Sequence, residues 1–244
     1  MHPPIIDDSA LRITATPGDT DTAIISFSGI EHELGGVPRE EFVNTLAGTS
    51  HSEFFVVDKE RSWYNATAPT IVSTLAPRLR DFRKVIAIGN SMGGFGAVYF
   101  ASRLPNCRTA IAFVPQFSID PTIVPGETRW QRHRSRLSAF PVRHALLDAN
   151  GEVEFHIFFG GNDRRDQTHL ALFKSHATRR TNIFSLPRAT HGVAKYLRQQ
   201  RLLRPVLDAA IELEEAATVI TELLANRGVL HDAWFPPGAP FKTA

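Results

Sequence analysis

Short apolar runs alternate along this chain with stretches whose apolar residues recur at helical spacing. The runs "LRITAT", "TAIISFSG", "EFFVVD", "KVIAIGNS", "RTAIAFVP", "EVEFHIFFGG" and "NIFSLP" have strand length and strand composition. Between them, "PREEFVNTLAG", "PTIVSTLAPRLRDF", "GGFGAVYFASRL" and "QTHLALFKSHA" read as helices. The first of these is expected to end at Gly48, and the second to be ended early or kinked by a proline. A long helical tail from Gly192 to Ala225 follows the last strand, with a break expected near Pro205. The turn-forming "PGDTD" predicts that the first two strands pair as an antiparallel hairpin.

Most of these strands are apolar throughout rather than on alternate residues. Parallel strands covered on both faces produce that pattern, so the expected class is α/β. The chain shows no internal repeat and no linker, and it reads as one domain over residues 1–244. One segment breaks the rhythm. From Gln116 to Asn150 no strand is predicted, and the stretch is expected to be a cap or lid inserted over the carboxyl edge of the sheet. The proline-rich end, about 229–244, is expected at the surface or partly disordered.

Composition narrows the class further. A length of 244 residues with 43% hydrophobic and 21% charged positions suits a single core. A net charge of +2 is too small to argue for nucleic acid. Cys107 is the only cysteine, so no intrachain disulfide can form, and it reads as a packed residue rather than a nucleophile. The N-terminal residues lack the basic and apolar regions of a secretory signal, and no stretch has the length of a membrane helix. The expectation is a soluble cytoplasmic protein without a membrane partner; its oligomeric state is not legible.

Candidate chemistry centres on "GNSMGGFGA". Ser91 lies between an apolar strand and a helix, where a tight turn can lift its hydroxyl out of the sheet. Such a turn crowds the residues two before and two after, and these are Gly89 and Gly93. The following helix aims its first amides at the site, which suits a developing oxyanion. Gly94 and Gly96 are poor helix formers and suggest close packing of the helix start.

A nucleophilic serine needs a base, and the base an orienting acid. After "EVEFHIFFGG" come Asp163 and Asp166; after "NIFSLP" comes His191. The order serine, acid, histidine is the one this architecture requires. Asp163, straight off its strand, is the favoured acid. Asp166, which could instead cap the next helix, and Asp120 are the alternatives. His51, His133, His144, His156, His169 and His176 fall in helix, strand or cap positions or on a side of the sheet remote from Ser91, and His32 is a weaker rival to His191.

The elbow "GNSMGGFGA", the acid loop "GGNDRRD" and the base loop "THGVAKYL" together resemble the α/β-hydrolase superfamily, over about residues 22–224. The resemblance implies a mostly parallel twisted sheet of about eight strands with helices on both faces. It also implies hydrolysis of esters, thioesters or amides through an acyl-enzyme, without metal or cofactor. "SMGGFGA" is similar to the elbow of esterases that cleave small acyl groups. The lipase-type His-Gly-Gly-Gly segment is replaced by "SFSGIEHELGG", so the oxyanion amides implied are those of Met92 and of Gly29 or Ile30. The expected function is a serine carboxylesterase or thioesterase. The alternatives are an acyltransferase using the same residues and a non-catalytic binding protein on the same fold.

Other loops face the same edge. Arg61, Trp63 and Tyr64 either line a substrate pocket or plug the loop down, and Gln116 either binds substrate or holds backbone. Arg129, Arg132, Arg134, Arg136, Arg164 and Arg165 form either a solvated face or a grip on an anionic small-molecule acyl substrate.

Overall fold

The computed structural model describes residues 3–30, 39–146 and 151–237. Its elements in chain order are β1 (Pro4–Asp7), β2 (Leu11–Thr16), β3 (Thr22–Phe27), α1 (Val43–Leu46), β4 (Ser52–Asp58), α2 (Ala68–Leu79), β5 (Lys84–Asn90), α3 (Met92–Ala101) and β6 (Cys107–Phe113). They continue with α4 (Gln131–Arg134), β7 (Glu154–Gly160), α5 (Arg164–Ser175), β8 (Thr181–Leu186), α6 (Val193–Gln199), α7 (Leu203–Glu212), α8 (Ala216–Asn226) and β9 (Asp232–Trp234).

The strands form one nine-stranded sheet in the order β1-β2-β4-β3-β5-β6-β7-β8-β9. Pairing is parallel from β4 to β8 and antiparallel at both edges. Every residue of β3, β4 and β7 is buried. Successive side chains point to opposite faces, so both faces of these strands are covered.

The antiparallel N-terminal hairpin is present, but its partners differ from the expected pair. β2 pairs with β1 on one side and β4 on the other, and β3 lies between β4 and β5. The loop "PGDTD" therefore carries the chain past β4's place rather than turning it back. β3 is buried throughout and can sit only inside the sheet, whereas half-buried β1 suits an edge. The C-terminal stretch read as surface or disordered contributes β9, which closes the far edge on β8.

The helical tail breaks before Pro205, at Gln200–Leu202, where Arg201 takes φ 58°. Pro205 itself sits in the first turn of α7, where its missing N–H costs nothing. Pro77 lies inside α2, which ends two residues later at Leu79. The described part of the β6–β7 connection, Val114–Leu146, holds turns and the short α4 but no strand. Among the described residues no helix is long and apolar enough to cross a membrane.

Two buried groups are inert by environment. Burial pushes the Cys107 thiol up to about 12. Burial, with the charge of Lys84 adding to it, brings His156 down to about 3 from an ordinary 6.5. Between those values an unfolded chain binds a proton at His156 that the folded chain refuses. Stability is therefore lost as pH falls from about 6.5 towards 3. His156→Gln is expected to flatten that part of a plot of Tm against pH; an unchanged slope would show that other groups carry the acid sensitivity.

Candidate active site

The site begins where β5 ends. Ser91 takes φ 55° and ψ −117°, a conformation that side-chain-bearing residues rarely adopt. The turn is tight enough that a Cβ on Gly89 would enter the Gly93 backbone, and one on Gly93 would enter the Phe27 carbonyl. Gly96 gives its space to the Tyr64 ring. The Ser91 amide donates to the Phe113 carbonyl (2.8 Å), tying the turn to β6.

His191 reaches Ser91 through a second close approach. A Cβ on Gly160, the last residue of β7, would strike the carbonyls of Ala189 and Thr190, and one on Gly161 would strike Pro187. Without side chains, these two glycines let the β8–α6 loop lie across the end of β7. His191 Nε2 then stands 3.0 Å from Ser91 Oγ.

The aspartate that the structure brings beside His191 is Asp166, and the favoured Asp163 is turned elsewhere. Asp163 caps α5, accepting from the Arg165 amide (2.9 Å) and pairing with the Arg165 guanidinium. The Arg165 hydrogen bond, opposed in part by burial, lowers its carboxyl to about 2. Its oxygens are thus turned onto its own helix. Asp166, in the first turn of α5 and buried, meets His191 Nδ1 at 2.9 Å through Oδ2 and 3.0 Å through Oδ1. Asp120 pairs with Arg143 and Thr122 instead. His32 lies outside the described residues.

Gln116 is fully buried and donates from Nε2 to Ser91 Oγ at 3.3 Å. Its Oε1 accepts from Trp63 Nε1 at 2.9 Å. An indole nitrogen only donates, so this bond fixes which end of the amide faces Ser91. Trp63 and Tyr64 are themselves fully buried and line no open pocket. The Tyr64 hydroxyl donates to the Ser28 carbonyl (2.9 Å), and its ring packs edge-on against Phe27 and Phe100. Their loop runs through positive φ at Arg61, Trp63 and Tyr64 (54°, 51° and 61°). Asp58 holds that strain by accepting from the Ser62 and Tyr64 amides and the Ser62 hydroxyl. Half-buried Arg61 keeps Nε and Nη2 without a partner among the described residues.

The expected oxyanion amide of Gly29 is engaged elsewhere. It donates to Glu41 Oε1 at 2.9 Å, and the Glu41 carbonyl in turn accepts from Ser26 Oγ at 2.8 Å. Of the three amides named from the sequence, that of Gly29 therefore faces a side-chain carboxylate in this structure.

Behind Asp166 stands a cluster that joins Arg129, read from the sequence as surface charge or substrate grip, to Glu127, not singled out there, and to His169, set aside there. Arg129 Nη1 donates to Asp166 Oδ1 at 2.6 Å and lies 3.2 Å from His191 Nδ1. Its Nε and Nη2 grip both oxygens of Glu127, and Glu127 Oε2 lies 3.1 Å from His169 Nε2. Burial opposes ionisation of Glu127, but hydrogen bonds from His169 and Arg129 outweigh it and hold the carboxyl well below the usual range. Burial likewise opposes the charge of Arg129, and its bonds to Glu127 with the charge of Asp166 outweigh that. Arg129 is therefore no free grip for a substrate, while Arg132, Arg136, Arg164 and Arg165 are exposed. No local motif marks Arg129, Glu127 or His169, since they meet only through the folding of the β6–β7 segment onto α5.

No protein-family model matches the chain, and no curated protein matches it by sequence. Its architecture nonetheless has counterparts among solved structures. The capsule O-acetyltransferase of Neisseria meningitidis serogroup A superposes with a TM-score of 0.59 at 16% identity, covering 84% of this chain and 94% of that one. The fluorophosphonate-binding serine hydrolase F of Staphylococcus aureus gives 0.56 at 11% identity, covering 87% and 98%. Esterase 2 of Thermogutta terrifontis, phosphonylated by sarin, gives 0.54 at 18% identity, covering 80% and 87%. These proteins are all of the α/β-hydrolase superfamily. The chain has the α/β-hydrolase fold, with a nine-stranded sheet.

Proposed function

We propose that this protein is a serine hydrolase acting on a small carboxylic ester or thioester. The observation that supports the reading is the unbroken run of hydrogen bonds from Ser91 Oγ through His191 to buried Asp166. Ser91 attacks the carbonyl carbon while His191 Nε2 takes its proton. The tetrahedral oxyanion is held by the Met92 amide, at the start of α3, and the Ile30 amide. Asp166 keeps the imidazole in the tautomer with its hydrogen on Nδ1 and stabilises the imidazolium. His191 returns the proton to the leaving group, and water, activated by the same ring, releases the acid. Gln116 donates to Ser91 Oγ, which leaves the serine hydrogen for His191.

The test is a fluorophosphonate probe followed by peptide mapping. Labelling at Ser91, together with turnover of short-chain esters or thioesters, is expected. A folded protein that is neither labelled nor active would favour a binding role on the same fold. The likeness to an O-acetyltransferase favours a second reading, in which an alcohol or amine replaces water in the last step. Product analysis with added acceptors separates the two: acylated acceptor in excess over free acid would make transfer the main reaction.

A further inference from the structure

We propose that Arg129 is a positioning residue for the reaction, setting Asp166 and His191 in register, and that Glu127 balances its charge beside the imidazole. The inference rests on the serine-hydrolase reading and deepens it. It makes seating of the β6–β7 segment and assembly of the site a single event.

The geometry begins with the acceptors. Asp166 has two oxygens and faces two donors. Arg129 Nη1 takes Oδ1 at 2.6 Å, and His191 Nδ1 faces both oxygens, at 2.9 Å from Oδ2 and 3.0 Å from Oδ1. The arginine thus holds the carboxylate with its edge turned to the ring. Two side-chain torsions lie between the α5 backbone and the Asp166 oxygens, the outer of them intrinsically loose, and the guanidinium restrains that outer torsion.

A cation this close to Nδ1 also opposes formation of the imidazolium. Glu127 answers that cost. It grips the far edge of the guanidinium with both oxygens, and its side chain is 3% exposed, so solvent does little to screen the pair. Glu127 is itself held from behind. His169 Nδ1 accepts from the Phe117 amide at 3.1 Å, which puts the ring hydrogen on Nε2, facing Glu127. Phe117 follows Gln116, which touches Ser91, so the network returns to the nucleophile. The β6–β7 segment supplies Phe117, Glu127 and Arg129, and α5 supplies Asp166 and His169.

The charged groups facing His191 are Asp166 from α5 and Arg129 from the β6–β7 segment, with the Trp130 ring 6.3 Å from its own. Asp163 stands 3.7 Å from Arg129 and is paired with Arg165. Arg188 is the cation on the loop that carries His191, and Lys195 and Arg198 are those on α6, which follows it.

The experiment follows the rate of Ser91 labelling by a fluorophosphonate against pH in full-length protein, which requires no knowledge of the substrate. Arg129→Met is expected to slow labelling at least tenfold and to move the acid limb of the profile up by about one pH unit. Glu127→Gln leaves the arginine uncompensated and is expected to move the limb down. A merely structural tie would slow labelling in both variants without opposite displacements. Coincident limbs, or displacements in one direction, would overturn the proposal. Where Arg129→Met fails to fold because Glu127 is left buried without its counter-charge, Arg129→Met/Glu127→Gln removes both charges. It is expected to label slowly with its limb near that of the parent, and labelling at the parent's rate would overturn the proposal. The parent and Ser91→Ala are run first. Absence of parent labelling would strike the hydrolase reading, whereas normal parent labelling with unresponsive variants strikes the role of Arg129 alone.

Discussion

Ser91→Ala is expected to lower turnover by roughly 10⁵–10⁶-fold while leaving a folded protein. The rate loss follows from chemistry that no neighbour can replace. Gln116, His191 and the α3 amides all converge on the Ser91 oxygen or the oxyanion it would generate, and none is itself a competent nucleophile in place. Stability should change little. The substitution keeps a Cβ at the same φ of 55°, so the strain of the turn is neither relieved nor increased. The main structural cost is the Gln116 amide hydrogen left without its acceptor, worth about 1–2 kcal/mol in a buried setting. Turnover of a short-chain ester, fluorophosphonate labelling and a thermal melt on the same preparation check all three points. A variant that labels like the parent would remove Ser91 from the mechanism.

Asp166→Asn should come close to this, at roughly 10⁴-fold in kcat. Both neighbours of the Asp166 carboxylate are donors: Arg129 Nη1 and His191 Nδ1–H. An asparagine offers one oxygen and one amino group. With the oxygen kept by the arginine, the amino group faces the imidazole and favours the tautomer with its hydrogen on Nε2. That tautomer cannot accept the serine proton. Asp163→Ala is the matching comparison. It removes the α5 cap and the Arg165 pair, costing about 1 kcal/mol of stability, and should leave kcat within about threefold. The reverse result, a large loss at Asp163 and a small one at Asp166, would return the acid role to the residue directly off β7.

These two aspartates mark how far the sequence carries. It places both after β7, one strand earlier than the strand that leads into the His191 loop, and the residue type suits the role in both. Their spacing of three residues puts them within one helical turn, and choosing between them needs the direction of α5 relative to the β8–α6 loop. That direction depends on Gly160 and Gly161 admitting the loop's backbone, a contact between residues some thirty positions apart. The amides proposed for the oxyanion show the same limit. "SFSG" places Gly29 at the right strand end, yet its amide is taken by Glu41, twelve residues on. At the sheet edge, "PGDTD" is a good turn sequence, and nothing local reveals that β4 is to fill the gap between the strands it joins.

What the sequence by itself determined is whatever rests on short-range physics. Apolar runs of strand length mark strands buried on both faces, and helical spacing marks the helices between them. Glycines at 89 and 93 mark a turn that no Cβ could enter, with Ser91 at its tip. The tertiary structure decided which groups meet. It assigned β2 to β4, Asp166 to His191, Glu41 to Gly29, and Arg129 with Glu127 to the back of the site. Strand and turn preferences act over a few residues, with tolerances the pattern of residue types can express. Hydrogen bonds near 3 Å between distant segments are set by how whole elements pack, which the pattern of residue types along the chain does not express.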